Sequence, residues 1–314
     1  MDPITYIDSH TGGMPTRVFL SGMPDLGNGS LQDKANRLTR LQDFCKLVLQ
    51  EPRGRDAMVG VVILPSSDPK FEASILFFNN AGSLGMCGHG LIGLIETLRF
   101  IGKTGKSFLF ETPAGEASGQ IDENKSITVK NVASYRYQRK VELQIPNYGS
   151  LFGDIAYGGN WFFITEAQKI SVKHENLREL EDYTKAILKV LSAFGITGKD
   201  GAPIDHVEIV GEPILPTANS KNFVLCPGPS YDRSPCGTGS SARLACLSAD
   251  GKVAPGDDYV VESITGSTFK LRYEIASGAH ENLTILPEIE SRAFVVGTGN
   301  LVFDPEDPTI SGYV

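Results

Sequence analysis

The sequence has 314 residues, a length that fits one large domain or two domains of ordinary size. Its 41% hydrophobic and 21% charged residues are typical of a globular protein and argue against disorder. The net charge of −8 argues against nucleic-acid and anionic-membrane partners, and no apolar run reaches the length of a membrane span. Asp2, Asp8 and His10 stand where a signal peptide would be apolar, so we expect a cytoplasmic protein.

Two segments have the apolar periodicity of long amphipathic helices, residues 31–50 and 176–194. Shorter segments rich in Val, Ile and Phe predict strands. These segments are 58–64, 73–78, 107–111, 206–210, 222–226 and 259–263.

The chain also contains an internal repeat. After each long helix come predicted strands, a Gly-rich turn with one cysteine, an apolar helical stretch (91–101 or 240–247) and a strand that ends near a glutamate. Cys236 follows Cys87 by 149 positions, and Glu262 follows Glu111 by 151. The agreement of the two spacings predicts two similar domains rather than one doubly wound sheet. We place the first at 1–140 with a C-terminal tail of about 296–314, and the second at 141–295.

The five cysteines are too few, and odd in number, for a disulfide scaffold. Cys45 and Cys246 lie on apolar helical faces and are predicted to be core residues. Cys226 ends an apolar strand and is a candidate for lining a pocket. Cys87 and Cys236 differ from these, because each begins a Cys-Gly-x-Gly turn that leads into a helix.

A helix start preceded by glycines suits a reactive thiol and an anionic ligand. Its N–H groups hold a carboxylate, and its partial positive charge lowers the pKa of a neighbouring thiol. One such turn is weak evidence, but two at matching positions are hard to explain by packing. If the two halves face each other, one thiolate could remove a proton from a carbon and the other thiol could deliver one to the opposite face. The result would be stereochemical inversion without a cofactor.

Other kinds of site use the same residues. A zinc site could use Cys87, His89 and Cys236, although a closed zinc site needs a fourth ligand. A cysteine hydrolase would leave the second thiol unexplained. A non-catalytic module that binds amino acids is the third alternative.

Three segments resemble the proline racemase family over essentially the whole chain. They are residues 7–13 (Ile-Asp-Ser-His-Thr-Gly-Gly), 86–90 (Met-Cys-Gly-His-Gly) and 232–239 (Asp-Arg-Ser-Pro-Cys-Gly-Thr-Gly). The resemblance implies an α+β, diaminopimelate-epimerase-like fold, with two pseudo-symmetric domains that each wrap a mixed sheet around a central helix. It also implies an isomerase that works by a two-base mechanism with no cofactor and no metal.

The resemblance further assigns roles to particular residues. Cys87 and Cys236 are the acid/base pair, and Asp232 meets the ring nitrogen of the substrate. The substrate carboxylate is held by Gly88, His89, Gly237 and Thr238. Related dehydratases carry Thr in place of the second cysteine, so Cys236 favours epimerisation.

His206 helps to predict which substrate the protein accepts. Hydroxyproline epimerases of the family place a histidine in this segment, where it would bond a ring hydroxyl. The alternative is a strand-end histidine with a structural role. We therefore expect trans-4-hydroxy-L-proline to be converted to cis-4-hydroxy-D-proline in hydroxyproline catabolism, with proline racemase activity as the alternative. The sequence leaves the oligomeric state open, with a homodimer as one candidate.

The sequence assigns no definite role in the site to Asp8 or to the remaining histidines. Asp8 and His10 belong to the N-terminal family motif but could serve only to shape its turn. His174 and His280 lie in polar stretches and are predicted to be solvated.

Overall fold

Contacts along the chain divide it at two places, after residue 129 and after residue 291. The computed structural model describes residues 2–228, 230–277 and 282–310. Met1–Val129 and Arg292–Val314 form the first unit, and Lys130–Ser291 form the second. The sequence-based limits lie at 140 and 295; residue 140 falls inside a strand of the second unit, Ser134–Ile145, which pairs along its length with the next strand.

The first unit begins with two strands and two helices, followed by a mixture of short strands around a third helix. Its elements before the crossing to the second unit are β1 (Ile4–Thr11), β2 (Met14–Ser21), α1 (Leu31–Arg40), α2 (Gln42–Leu49), β3 (Val59–Leu64), β4 (Ala73–Asn79), β5 (Gly82–Leu84), α3 (Gly88–Phe100), β6 (Ser107–Thr112), β7 (Gly115–Ile121) and β8 (Ile127–Lys130).

The second unit repeats much of this order. Its elements are β9 (Ser134–Ile145), β10 (Gly149–Tyr157), β11 (Trp161–Glu166), a 3₁₀ turn (His174–Asn176), α4 (Leu177–Ala193), a second 3₁₀ turn (Lys199–Gly201), β12 (His206–Gly211), β13 (Ser220–Cys226), β14 (Ser230–Tyr231), α5 (Gly237–Ala249), β15 (Tyr259–Ser263), β16 (Thr268–Ile275) and β17 (Thr284–Ser291). The chain then returns to the first unit with β18 (Ala293–Leu301).

The sheet of the first unit is mixed and packs around α3. β1 pairs antiparallel with β2 and β18, β3 runs parallel to β2, and β4 runs antiparallel to β3 and parallel to β6. Eleven of the 13 residues of α3 are buried, as expected of a helix covered on all sides. Gly93 lets the sheet approach closely, since a Cβ there would lie 2.8 Å from Ser9 Oγ.

The sheet of the second unit closes around α5. Neighbouring strands pair in the order β9, β10, β11, β12, β13, β15, β16 and β17, and β17 pairs back to β9. Eleven of the 13 residues of α5 are buried, most of them Gly, Ser or Ala. A Cβ on Gly158 would lie 2.2 Å from Thr238 O, so only glycine permits this contact between the β10–β11 turn and the helix.

The two units share one topology, which explains the sequence repeat. In each, a parallel pair of strands is joined through the peripheral helices (β2 to β3, β11 to β12), and a second parallel pair through the central helix (β4 to β6, β13 to β15). The predicted α+β architecture, with a mixed sheet around a central helix in each unit, is confirmed.

One helix differs from its prediction. The segment 31–50 forms two helices, because Leu41 adopts a non-helical conformation (φ −88°, ψ 44°) and its N–H bonds to Leu38 O. The break turns α2 so that Cys45 and Val48 are buried. The other long helix, α4, forms within a residue of its predicted limits. Within the described residues, no helix has the length and apolarity needed to cross a membrane.

Candidate active site

In the first unit, Cys87 is the residue that precedes the first turn of α3. It is 5% exposed, and its Sγ lies 3.5 Å from His89 Nδ1 and 3.6 Å from Nε2. Gly88 and His89 form the first turn, where backbone N–H groups point out of the helix. Position 90 has room only for glycine, because a Cβ there would lie 3.1 Å from Cys87 Sγ and 2.9 Å from the ring of Phe77.

The N-terminal motif supports this helix start. Thr11 Oγ1 donates a hydrogen bond to His89 O (3.1 Å). Asp8 accepts two bonds of 2.8 Å from the buried Arg17 guanidinium, so its role is structural. His10 Nδ1 accepts from Gly13 N in the β1–β2 turn (3.3 Å). The motif therefore positions the helix start through Thr11.

In the second unit, Cys236 occupies the equivalent position before α5. It is 4% exposed, and its Sγ lies 3.7 Å from Thr238 Oγ1. Its backbone has φ 57° and ψ 101°, a region that non-glycine residues rarely adopt, whereas Cys87 is extended (φ −144°, ψ 107°). Gly237 and Thr238 form the first turn of this helix.

Asp232 shapes the loop that leads to Cys236. Its Oδ1 accepts from Ser234 N and Ser234 Oγ, both at 2.8 Å, and Ser234 Oγ accepts from Cys236 N at 3.3 Å. Asp232 is itself buried. The carboxylate is thus held near the helix start, where the sequence predicted a ligand-binding role for it.

His206 lies on β12 and reaches the same region through an aromatic neighbour. It is 3% exposed, and its Nδ1 lies 2.7 Å from Asp205 Oδ1. Its ring packs against Phe162, with centroids 4.6 Å apart. A Cβ on Gly239 would lie 3.0 Å from the Phe162 ring and 3.2 Å from Cys236 Sγ. Phe162 therefore connects His206 to the start of α5.

Opposing influences act on the Cys236 thiol. A hydrogen bond with the Cys226 side chain lowers its pKa, while burial and the negative charges of Asp232 and Glu208 raise it. The net direction is upward, so in the free protein Cys236 favours the protonated form. Cys226, predicted as a pocket-lining candidate, is half-buried and contacts this thiol.

The remaining cysteines lie in the cores, as predicted. Burial raises the pKa of Cys45 to about 12 and raises that of Cys246 further. Such thiols are unreactive at neutral pH. His174 is exposed as predicted, and His280 lies outside the described residues. In the described ranges, no group of three His, Cys, Asp or Glu side chains is placed to hold a metal ion.

A sequence model of one family accounts for nearly the whole chain. The model, described as proline racemase, matches residues 6–314. The chain belongs to the proline racemase family.

Curated relatives within this family are similar over almost their full length. The chain is 47% identical to a 4-hydroxyproline 2-epimerase of Roseibium aggregatum, covering 98% of each chain. It is 45% identical to a 4-hydroxyproline 2-epimerase of Acinetobacter baumannii, again covering 98% of each. The fold matches the crystal structure of a hydroxyproline epimerase from Agrobacterium vitis with bound trans-4-hydroxy-L-proline (TM-score 0.92, 23% identity, 100% of this chain and 95% of that chain).

Sequence reasoning missed several residues around Cys236. Asn160 Nδ2 donates to Thr238 Oγ1 (3.2 Å), Asp205 bonds His206, and Phe162 packs against it. Glu208 is a carboxyl group on a strand whose first five residues are all buried. Its only signal in the sequence is a charge inside the apolar run 207–210.

Proposed function

We propose that this member of the proline racemase family is a 4-hydroxyproline 2-epimerase. It converts trans-4-hydroxy-L-proline to cis-4-hydroxy-D-proline, and the reverse, by inverting the configuration at the α-carbon. The observation that carries the proposal is a buried cysteine at the start of the central helix in each unit, in a chain 45–47% identical to relatives of that name.

The two thiols supply the acid and the base. A two-base inversion requires one group on each face of the α-carbon, and each unit contributes one thiol. The thiolate of one cysteine removes the α-proton, and the thiol of the other delivers a proton to the opposite face. Reversal of direction exchanges the two roles. Thiols suit this task because modest changes in environment bring their pKa values close to neutrality.

The helix starts stabilise the negative charge that forms during the reaction. Loss of the α-proton pushes electron density into the substrate carboxylate, and the N–H groups of Gly88, His89, Gly237 and Thr238 are donors of the required kind. Asp232 receives the cationic ring nitrogen. The ring nitrogen keeps its proton and positive charge beside Asp232, and this charge, with the hydrogen bonds that hold the carboxylate, keeps the α-carbon acidic.

His206 selects the hydroxylated ring. The bond to Asp205 engages Nδ1, which leaves Nε2 as the atom that meets a 4-hydroxyl group. A pocket that is built around this histidine binds proline less well, because a buried polar group then lacks its partner.

A stereochemical assay tests the function directly. The purified protein is incubated with trans-4-hydroxy-L-proline or L-proline, and the products are separated by chiral chromatography. We expect cis-4-hydroxy-D-proline from the first substrate and a lower kcat/KM for the second. Equal kcat/KM values would make proline racemase the better description, and no turnover of either would refute epimerisation of prolines.

Ligand protection tests whether the two thiols serve one substrate. Pyrrole-2-carboxylate is planar at the position of the α-carbon and resembles the carbanion-like transition state. We expect it to slow iodoacetamide alkylation of Cys87 and Cys236 with the same concentration dependence. Protection of one cysteine alone would contradict the two-thiol site. Alkylation of Cys45, a core thiol away from both helix starts, is followed in the same digests and reports general changes in accessibility.

We also propose that the protein works in the cytoplasm, where reducing conditions keep both thiols in the reduced form. Fractionation of the source cells, with activity measured with and without dithiothreitol, tests this location. Activity confined to an oxidising compartment would contradict it.

A further inference from the structure

The two thiols have different neighbours at one equivalent position of the repeat. Strand register identifies that position. On β4, Ser74 pairs with Glu111 of β6, and on β13, Lys221 pairs with Glu262 of β15. In both units the glutamate accepts a hydrogen bond from its partner side chain, so the two pairs correspond.

The residue that differs between the units lies on the neighbouring strand, which is β3 in the first unit and β12 in the second. Phe77 lies three residues after Ser74 and pairs with Val61. Val224 lies three residues after Lys221 and pairs with Glu208. Val61 and Glu208 therefore occupy the same place in the two units. Both are buried, but one is apolar and the other carries a carboxyl group.

Glu208 lies beside the Cys236 thiol. A Cβ on Gly239 would lie 2.9 Å from Glu208 Oε2 and 3.2 Å from Cys236 Sγ, so both atoms flank one point at the first turn of α5. Glu208 is 1% exposed, and among the described atoms Oε2 has no hydrogen-bond partner.

The other carboxyl oxygen is tied to the same loop. Asn222 Nδ2 donates to Glu208 Oε1 (2.9 Å) and to Pro235 O (2.8 Å), the carbonyl that precedes Cys236. Ser240 Oγ donates to the same carbonyl (2.7 Å). This network fixes the carboxyl group relative to the thiol, so its charge acts at a constant distance.

The charged and titratable groups around Glu208 leave its ionisation finely balanced. Burial raises its pKa to about 7, although the Asn222 bond and the charge of Arg243 lower it. The charge of Arg243 is shared between Glu208 and Glu166, because its guanidinium forms an ion pair with Glu166. The remaining titratable neighbours are Asp232 and Cys236 before α5, Cys246 on it, and Tyr259 on β15.

We propose that Glu208 is a positioning residue that sets the proton affinity of Cys236, and that Val61 leaves Cys87 without an equivalent group. The inference builds on the proposed role of Cys236 as an acid and base. Two negative charges at this separation in a buried site are costly, so Glu208 and Cys236 share a single negative charge near neutral pH. Cys236 becomes a thiolate readily only while Glu208 holds a proton. The carboxyl group thereby makes Cys236 the weaker acid of the two thiols.

Site-specific alkylation tests this inference. Wild-type protein and Glu208→Gln are treated with iodoacetamide from pH 6 to 10, and the modification of each cysteine is followed by mass spectrometry. Alkylation follows the thiolate fraction. We expect the midpoint for Cys236 to fall by about one pH unit in Glu208→Gln, with roughly tenfold faster alkylation at pH 7.5. The midpoint for Cys87 in the same samples should not move.

Two further variants separate charge from packing. Glu208→Val gives the second unit the residue of the first, removes the charge without keeping an amide, and should shift the Cys236 midpoint in the same direction. Glu212→Gln removes an exposed carboxylate just after β12 and should leave both midpoints unchanged. If Glu208→Gln does not fold, Glu208→Val decides the outcome.

An unchanged Cys236 midpoint in a folded Glu208 variant would overturn the inference. So would an equal shift of both cysteines, because that indicates a general change in the protein. The readout does not depend on turnover. A chain that shows the expected shift but does not epimerise hydroxyproline would refute the proposed function and leave the role of Glu208 intact.

Discussion

At the scale of single residues, Cys87 and Cys236 combine a reactive side chain with a position that tolerates a close analogue. Each is the residue before the first helical turn, where Ser is among the preferred residues. A thiol-to-hydroxyl change therefore alters the acidity of the group far more than it alters the helix.

The first prediction concerns these two positions. Cys87→Ser and Cys236→Ser should each lower kcat by at least about 10²- to 10⁴-fold, because a serine hydroxyl is too weak an acid to replace the thiol. Thermal unfolding should show a small loss of stability. The matched control is Cys45→Ser, which places a hydroxyl in an apolar core. It should lower stability but keep the activity of the folded fraction. Wild-type-like turnover in either helix-start variant would contradict the two-thiol assignment.

The second prediction concerns His206 and the ring hydroxyl. His206→Leu should lower kcat/KM for 4-hydroxyproline by roughly 5- to 150-fold, corresponding to a lost contact of about 1–3 kcal/mol. Proline, which lacks the hydroxyl, should be affected much less. His206→Gln keeps a hydrogen-bonding side chain and should recover part of the loss. Steady-state kinetics with both substrates measure the effect, and an equal loss for both would indicate a structural histidine.

At the scale of elements, the two central helices begin differently although they occupy equivalent positions. The chain enters α3 through an extended residue and enters α5 through one with positive φ. A non-glycine residue with positive φ carries strain of about 1–3 kcal/mol, which the surrounding loop must offset. Two hydrogen bonds hold that loop: Ser234 N donates to Asp232 Oδ1, and Cys236 N donates to Ser234 Oγ.

The third prediction compares alanine and glycine at these entries. At position 236, glycine should be more stable than alanine by about 1 kcal/mol, because glycine has no Cβ to oppose positive φ. At position 87 the order should reverse by about 0.5–1 kcal/mol, because glycine gains only freedom in the unfolded chain. Urea unfolding of Cys236→Gly, Cys236→Ala, Cys87→Gly and Cys87→Ala measures both differences. The same order at both positions would contradict the strain at Cys236.

At the scale of the whole molecule, the proposed mechanism uses one thiol from each unit, and the fate of the α-hydrogen reports whether both take part. A single base would return the hydrogen it removed, at least in part. With two bases, one thiol delivers to the product a proton that it took from solvent. The abstracted proton stays on the other thiol.

The fourth prediction follows from this difference. In deuterated water, the first product formed should carry one deuterium at the α-carbon, while recovered substrate remains largely protiated. Mass spectrometry of early time points measures both, and substrate recovered from a Cys87→Ser reaction serves as the background. Product that retains hydrogen from the substrate would indicate one base.

Several features of this protein are determined by short stretches of sequence. The apolar periodicity of residues 176–194 sets α4, and Cys-Gly-x-Gly sets the starts of α3 and α5. The repeat of cysteines and glutamates predicts the shared topology. These features can be recognised in sequence because helix periodicity and turn chemistry depend on a few consecutive residues.

Other features depend on contacts between distant parts of the chain. The helix break at Leu41 and the strand that runs through residue 140 are decided by packing, which overrides local helical or boundary signals. Asp8 pairs with Arg17 only because β1 and β2 align them. Such outcomes are set by strand register rather than by composition.

The surroundings of Cys236 show the same division most clearly. The sequence identified the thiol, but only the folded sheet places Glu208 of β12 and Phe162 of β11 beside it. β12 is buried on both faces, so alternation of polar and apolar residues does not reveal which side chains point to α5. The reactive groups are thus determined by local sequence, whereas the charges that tune them are determined by tertiary structure, because electrostatic influence depends on distance and burial in the folded protein.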